Sequence, residues 1–548
     1  MNILILLDKI STKEELVFRY IFEILGTLSN LNFSTIPPKN LNQFDLIINY
    51  SLAQKNIQHK ALINISKSGS EQDTSDSPIT TKKEKNLNQI NINFDIIKPI
   101  IYFLSLEHEK NLEENGTFIN SLSKNLHLSD LNRFDKDHFS QPIINQSIFL
   151  LKEIMLNLVG SNNTTPIEKP LHPNFAQATI CLTHDVDGIK KDAIDRLKHL
   201  RHSLVRISTL LRKARLSASF EELFQLFIKL FSFTDYNQFK KIIEIEKEHN
   251  ISSSFNFFVK TDNNQQSLKE RIINPRYDIS SDNLKEIFTL LKENNKEIAL
   301  HGSYESFNNQ ELLTEEKNKL ETTINLKIQG GRQHFLRFST LSTFEIYEEN
   351  NMRYDTTYGF RDINGFRASI CLPFKPIKNP SQHYKTTELP LIIMDGIFFD
   401  RNVKSKDNVW KETLKLLKII KNNQGCASVV WHNRVFNNLD YPSWSKIYSK
   451  LLDWAVSENV HLCSPIDYIN WLDQRSNIQL KQRTIKNNKT KYILTTTKSH
   501  KTIQLTIPTS KKLNIKSNYK ISTHHTQQNI QLEINNTNPE KDILITFS

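Results

Sequence analysis

The sequence predicts an α/β fold built on a parallel sheet or barrel, on three observations. Between residues 175 and 475 short apolar strands alternate with amphipathic helices, the rhythm of parallel strands joined by crossover helices. Three of those strands end in Asp or His, the position where α/β barrels gather their chemistry. After residue 490 the pattern changes to period two with turn residues between the runs, which reads as a β-rich tail.

Taken in order, Ile3–Leu7, Leu46–Ile48 and Ala61–Ile65 read as strands and Glu14–Leu28 as a helix, so residues 1–160 are expected to form a small α/β domain. The Ser, Thr, Lys and Asp of Ser66–Asn88 predict a mobile loop, and Gly160–Pro173, with three prolines, predicts a linker. The segment Ala178–Asp187 is an apolar strand ending in charge. Lys190–Arg215 is a basic helical segment with apolar residues at Ile194, Leu197, Leu204, Ile207 and Leu211. Such a stripe is expected to pack on its own barrel; the alternative is an anionic membrane surface. Helices follow at Tyr236–Asn250, Ser281–Asn295 and Gln310–Ile328, with strands at Ser252–Val259, Glu297–His301, Gln333–Phe338 and Ala427–His432. In the tail, residues 490–548, the runs Tyr492–Thr496, Thr502–Ile507 and Ile530–Ile534 suggest a small antiparallel domain.

A chain of 548 residues exceeds one ordinary core, which calls for two or three domains. With 38% hydrophobic and 24% charged residues it is globular rather than disordered. The net charge of +12 admits an anionic partner, but no recognition helix, zinc finger or aromatic-basic sheet motif accompanies it, so nucleic acid is not expected. Four cysteines without a CxxC pair argue against a disulfide scaffold and a thiolate zinc site and fit a reducing cytoplasm. The first residues lack the basic region of a leader, and no stretch approaches the roughly 20 apolar residues of a membrane span. The expected location is therefore cytoplasmic, with the inner membrane surface as the peripheral alternative.

In Thr183-His184-Asp185-Val186-Asp187 two carboxylates stand two apart at the end of a buried strand, where an unpaired charge is costly and a cation is called for. A metal held by one carboxylate, with the other free to take a proton from water, meets that need. His301, in Ile-Ala-Leu-His-Gly-Ser-Tyr, and His432, in Val-Val-Trp-His-Asn, close two further strands, and Asp395 closes another at Met-Asp-Gly as a supporting candidate. The aromatic and polar block from Tyr354 to Arg367 suits either a sugar-stacking cleft wall or a structural loop.

These blocks, in this order, resemble the NodB-like polysaccharide deacetylases, carbohydrate esterase family 4, over residues 175–475. With Arg-Gln-His-Phe-Leu-Arg-Phe from Arg332 and the Tyr354–Arg367 block, the chain resembles more narrowly a long bacterial subgroup with an extra N-terminal α/β domain. The resemblance implies a distorted (β/α) barrel. It implies a metal-dependent hydrolase that removes acetyl groups from the N-acetylated sugars of a poly- or oligosaccharide, with zinc as the expected ion. Asp185 would be the base, Asp187 and His301 metal ligands, Arg332 the partner of the base with Phe335 following, and His432 the general acid. The family's second histidine is replaced by Glu305, leaving Glu305 and His334 as rival third ligands. That departure also supports a second reading, a degraded deacetylase-like protein that binds a glycan or serves in polysaccharide assembly.

Overall fold

The computed structural model describes residues 1–8, 11–51, 57–67, 79–84, 87–115, 137–160, 167–191, 193–212, 216–231, 235–261, 273–400, 406–486, 489–508, 513–516, 519–526, 529–537 and 542–547. Its centre is a nine-stranded parallel sheet, curled as a half-barrel with helices on its outside. From one edge the strands run Thr387–Glu388, Tyr354–Asp355, Gly330–Gln333, Glu297–Gly302, Ser254–Phe258, Ala178–Val186, Cys426–Val430 and Leu391–Met394, with Val460–Cys463 also paired to Ala178–Val186. All nine residues of Ala178–Val186 are buried, as a continuous apolar strand at the middle of a parallel sheet must be.

Register sets up the site. Asp185 lies opposite Asn256, Phe258 opposite His301, and His301 opposite Arg332. Because side chains alternate across a sheet, Asp185 and Asp187 share one face and His184 takes the other. There, behind the sheet, His184 meets Glu246 Oε1 at 3.0 Å, and Lys296 Nζ holds the other Glu246 oxygen at 2.6 Å. The outer helices are amphipathic in the ordinary way. Asp282–Glu293, for example, buries Leu284, Ile287, Phe288 and Leu291, one apolar stripe at helical spacing.

Residues 1–92 hold a six-stranded sheet in the order Asn30–Ser34, Asn2–Leu7, Leu46–Ser51, Leu62–Ser66, Leu87–Ile92, Ile79–Glu84. The helix Thr12–Leu25 stops at Gly26, whose φ of 70° and whose close approach to the Lys169 carbonyl leave no room for a Cβ. The loop expected at Ser66–Asn88 is in part an antiparallel pair, Ile79–Glu84 with Leu87–Ile92. Ile79–Glu84 is the outermost strand, and its polar composition suits a sheet edge; residues 68–78 and 85–86 lie outside the described residues. In the linker expected at Gly160–Pro173, residues 161–166 also lie outside, but Glu168 bridges Thr27 and Thr506 and ties the first and last parts of the chain together. The β-rich tail begins earlier than the pattern suggested, at Ile478–Lys486, and forms antiparallel sheets of four and three strands.

The basic segment after Asp187 departs from expectation. Within Lys190–Arg215 lies the helix Ala193–Arg212, on which Leu197, Leu204 and Leu211 are 51–62% exposed instead of packed on the barrel, and a second helix, Leu216–Phe231, follows it. The aromatic residues of the Tyr354–Arg367 block are structural, while its Arg361 reaches the cleft described below: Tyr354, Tyr358, Phe360 and Phe366 are buried, and Tyr358 joins Phe338, Phe344 and Phe374 in one core with Phe18, Phe103 and Leu151 of the N-terminal region. At that junction Arg367 donates twice to Glu109, Nε to Oε1 and Nη2 to Oε2, each at 2.7 Å, and Tyr358 donates to Glu109 Oε1 at 2.7 Å. Arg367→Ala would strand a buried carboxylate and is expected to lower the unfolding free energy by about 3–5 kcal/mol, while Glu109→Leu with Arg367→Met restores most of the loss. Denaturant unfolding of the two variants checks this.

Glu297 makes a second measurable prediction. Burial pushes its carboxyl up to about 7 from 4.5, although Tyr354 Oη at 2.6 Å and the Ile466 amide at 3.2 Å favour the ionised form. A carboxyl raised in the folded state contributes stability that is full below pH 4.5 and is lost as pH rises through about 7. Glu297→Gln is expected to flatten that part of the profile, worth on the order of 3 kcal/mol, in melts taken from pH 4 to 8.

Candidate active site

The C-terminal strand ends open on a cleft of about 280 Å³ whose floor carries Asp185, Asp187, His301, His334 and His432, with Arg434 beside them. Phe335, Arg276 and Arg361 line it nearer the mouth, the Arg361 guanidinium 4.2 Å from the centre of the Phe335 ring.

Asp185 is 3% exposed. Its Oδ1 accepts from Arg332 Nη1 at 2.9 Å and from Asn256 Nδ2 at 2.7 Å. Burial alone would raise this carboxyl, but the Arg332 guanidinium overrides it, helped by His301, His432 and Asn256, and holds it at about 2. Arg332 is itself fully buried. It is fixed by Thr183 Oγ1 at 2.7 Å and by the Thr356 carbonyl at 2.9 Å.

His301 and His334 converge. His301 donates from Nδ1 to the Arg332 carbonyl at 3.0 Å, and His334 donates from Nε2 to the Ile273 carbonyl at 3.0 Å. With both outer nitrogens occupied as donors, the inner ones, His301 Nε2 and His334 Nδ1, point lone pairs at each other across 3.0 Å. Asp187 Oδ1 lies 3.6 Å from the first and 3.7 Å from the second, buried and with no hydrogen-bond partner among the described residues. Two lone pairs and a carboxylate oxygen facing one point repel unless a cation sits among them, either a metal ion or a proton on His301, whose imidazole burial would lower but Asp185 and Asp187 raise above its ordinary value. The spacing of the two nitrogens and the oxygen suits tetrahedral zinc, whose ligand atoms stand about 3.3 Å apart. The donor set of one carboxylate and two imidazoles therefore fits a divalent metal.

Glu305 stands apart from this group. Its carboxylate is 41% exposed and pairs with Arg337 at 3.1 Å. The turn after Gly330–Gln333 brings His334 inward instead: Phe335 and Leu336 adopt left-handed φ values of 59° and 52°, swinging the chain sharply past the cleft.

On the opposite wall His432 is held by Asp395. The His432 amide donates to Asp395 Oδ2 at 2.8 Å and ring Nδ1 to Oδ1 at 2.5 Å, which leaves Nε2 facing the cleft 3.5 Å from Asp187 Oδ2. Burial would lower this imidazole, but Asp395 and Asp187 raise it above its ordinary value.

No known family model matches the chain, and no curated protein does. Solved structures do show likeness. A protein described as a polysaccharide deacetylase from Mycobacterium smegmatis is 11% identical, with 56% of this chain and 93% of that one covered at a TM-score of 0.35. The allantoinase PuuE gives 11%, 55%, 92% and 0.35 in the same order. A CE4 family pseudoenzyme from Bacillus anthracis gives 10%, 54%, 66% and 0.28.

Two residues of the cleft were not singled out in the sequence. Arg434 Nη1 lies 3.1 Å from Asp187 Oδ2, and its only signal was its place two residues after His432. Asn256, which helps fix Asp185, is a lone amide between Phe255 and Phe257 in a buried strand, a polar residue that had to be aimed at something.

Proposed function

We propose that this chain is a metal-dependent hydrolase that releases acetate from N-acetylated sugars of a poly- or oligosaccharide. The observation that carries the reading is the convergence of two imidazole lone pairs and an unpartnered carboxylate oxygen between a base candidate held by arginine and an imidazole held by aspartate. The motif resemblance in residues 175–475 points the same way. A divalent ion, zinc by this donor set, would be held by Asp187, His301 and His334 and would supply Lewis acidity to an acetamide carbonyl and to water.

The remaining roles belong to side chains. Asp185 Oδ2, not engaged by Arg332 or Asn256, is the oxygen left to take a proton from the attacking water. Arg332 secures the ionised form at some expense of basicity. His432, protonated with Nδ1 on Asp395, gives its Nε2 proton to the sugar nitrogen as the C–N bond breaks, so that acetate and a free amine leave. Arg434 favours a second reading: a guanidinium on the Asp187 carboxylate competes with a cation, as it would in a protein that binds a glycan without turning it over.

Acetate release from N-acetylated oligosaccharides and O-acetylated sugars, measured with added zinc or cobalt, tests the choice. Release that falls by about 10²–10⁴-fold in His432→Ala supports the hydrolase. A metal-loaded native protein silent across that panel overturns it in favour of the binding protein.

A further inference from the structure

Between Asp187 and the next barrel element the chain inserts its two exposed helices, and their surface is arranged the wrong way round for a soluble hairpin. They run antiparallel: Arg196 donates to the Leu230 carbonyl, and Ser203 Oγ donates to Glu222 Oε1 at 2.9 Å. The pair buries Ser203, Ser219 and Glu222 together with Leu226, while Leu197, Leu204, Leu211, Leu216, Phe220 and Phe224 are 51–71% exposed. Of fourteen large hydrophobic side chains exposed among the described residues, nine belong to this pair. A patch of that kind marks something that covers it.

Charge identifies the cover. From residue 193 to 231 the sequence carries eight Lys and Arg against Asp195, Glu221 and Glu222, and Glu222 is buried in the seam. A second copy of the chain would bring the same positive face to this one and be repelled. Anionic phospholipid supplies the opposite charge and accepts the leucines and phenylalanines into its acyl boundary. Neither helix is long and apolar enough to cross a membrane, so the pair lies flat. We infer that the paired helices Ala193–Arg212 and Leu216–Phe231 are a docking surface for an anionic lipid bilayer.

The base of the hairpin gives the docking a direction. The Tyr236 amide donates to the Ile189 carbonyl at 2.8 Å, and Asn433 Nδ2 donates to the carbonyls of Gly188 and Tyr236 at 2.8 and 2.9 Å. Lys191 pairs with Asp440 at 2.7 Å. Both feet are thus clamped by the residue next to His432, and a docked hairpin holds the cleft close to the lipid surface. The inference stands on the hairpin alone and holds whether or not the cleft turns over a substrate.

Vesicle co-sedimentation of the full chain tests it without any activity. Vesicles of phosphatidylcholine with about a third phosphatidylglycerol are expected to bind roughly tenfold or more tightly than pure phosphatidylcholine, and added salt to weaken them. Phe220→Ser with Phe224→Ser, and separately Arg201→Ser with Arg212→Ser, are each expected to cost roughly tenfold in binding. All four positions are exposed, and an unchanged circular dichroism spectrum and melt confirm that the fold is kept. Equal or absent binding to the two vesicle types overturns the inference. So does a dimer in analytical ultracentrifugation that the phenylalanine variant dissolves, which would assign the face to a second copy.

Discussion

Asp185→Asn is expected to reduce acetate release by about 10²–10⁴-fold, the contribution of a positioned general base, and to leave bound metal unchanged because Asp187, His301 and His334 are untouched. The amide keeps the shape and the Asn256 neighbour but removes the charge that Arg332 faces at 2.9 Å. Leaving that buried guanidinium unpaired also costs stability, by about 3–5 kcal/mol, so a melt must accompany the rate. A folded Asp185→Asn protein releasing acetate at the native rate would remove Asp185 from the reaction.

His334→Ala is expected to lower zinc affinity by at least about 100-fold, beyond the 10–100-fold that an outer partner of a ligand is worth, whereas Glu305→Ala leaves it unchanged. The asymmetry follows from position: His334 Nδ1 lies 3.0 Å from His301 Nε2, and Glu305 is drawn away by Arg337. Metal content after dialysis, with competition against a chelator, checks both. The opposite pattern would move the third ligand to Glu305 and leave His334 a hydrogen-bonding neighbour.

That choice shows where the sequence stopped being legible. The strand ends carrying Asp185, Asp187, His301 and His432 could be read directly, because a buried apolar run that stops at charge has few structural meanings. The rivalry between Glu305 and His334 could not be resolved, since it depends on a turn in which Phe335 and Leu336 take left-handed backbone. Those residue types do not announce such a conformation. Asn256 and Arg434 act through partners far away in the chain, on Asp185 and Asp187 respectively, and spacing along the chain carries no trace of that. In the basic insertion the apolar residues were visible as a stripe, but a stripe does not say which surface it meets, and here it faces out. The polar run after Ser66 hid the edge strand Ile79–Glu84, because an edge tolerates the composition of a loop.

The junction around Glu109 and Arg367 decides where the polypeptide can be severed. A chain starting at residue 175 would turn Phe338, Phe344, Tyr358 and Phe374 to water and leave Arg367 without its carboxylate. A fragment of residues 1–160 would in turn expose Phe18, Phe103 and Leu151. Each piece alone is a candidate for aggregation, and the two together carry matched surfaces. Co-expressed as separate polypeptides they should find one another and reconstitute the whole, with Glu109→Leu alone enough to prevent the reunion.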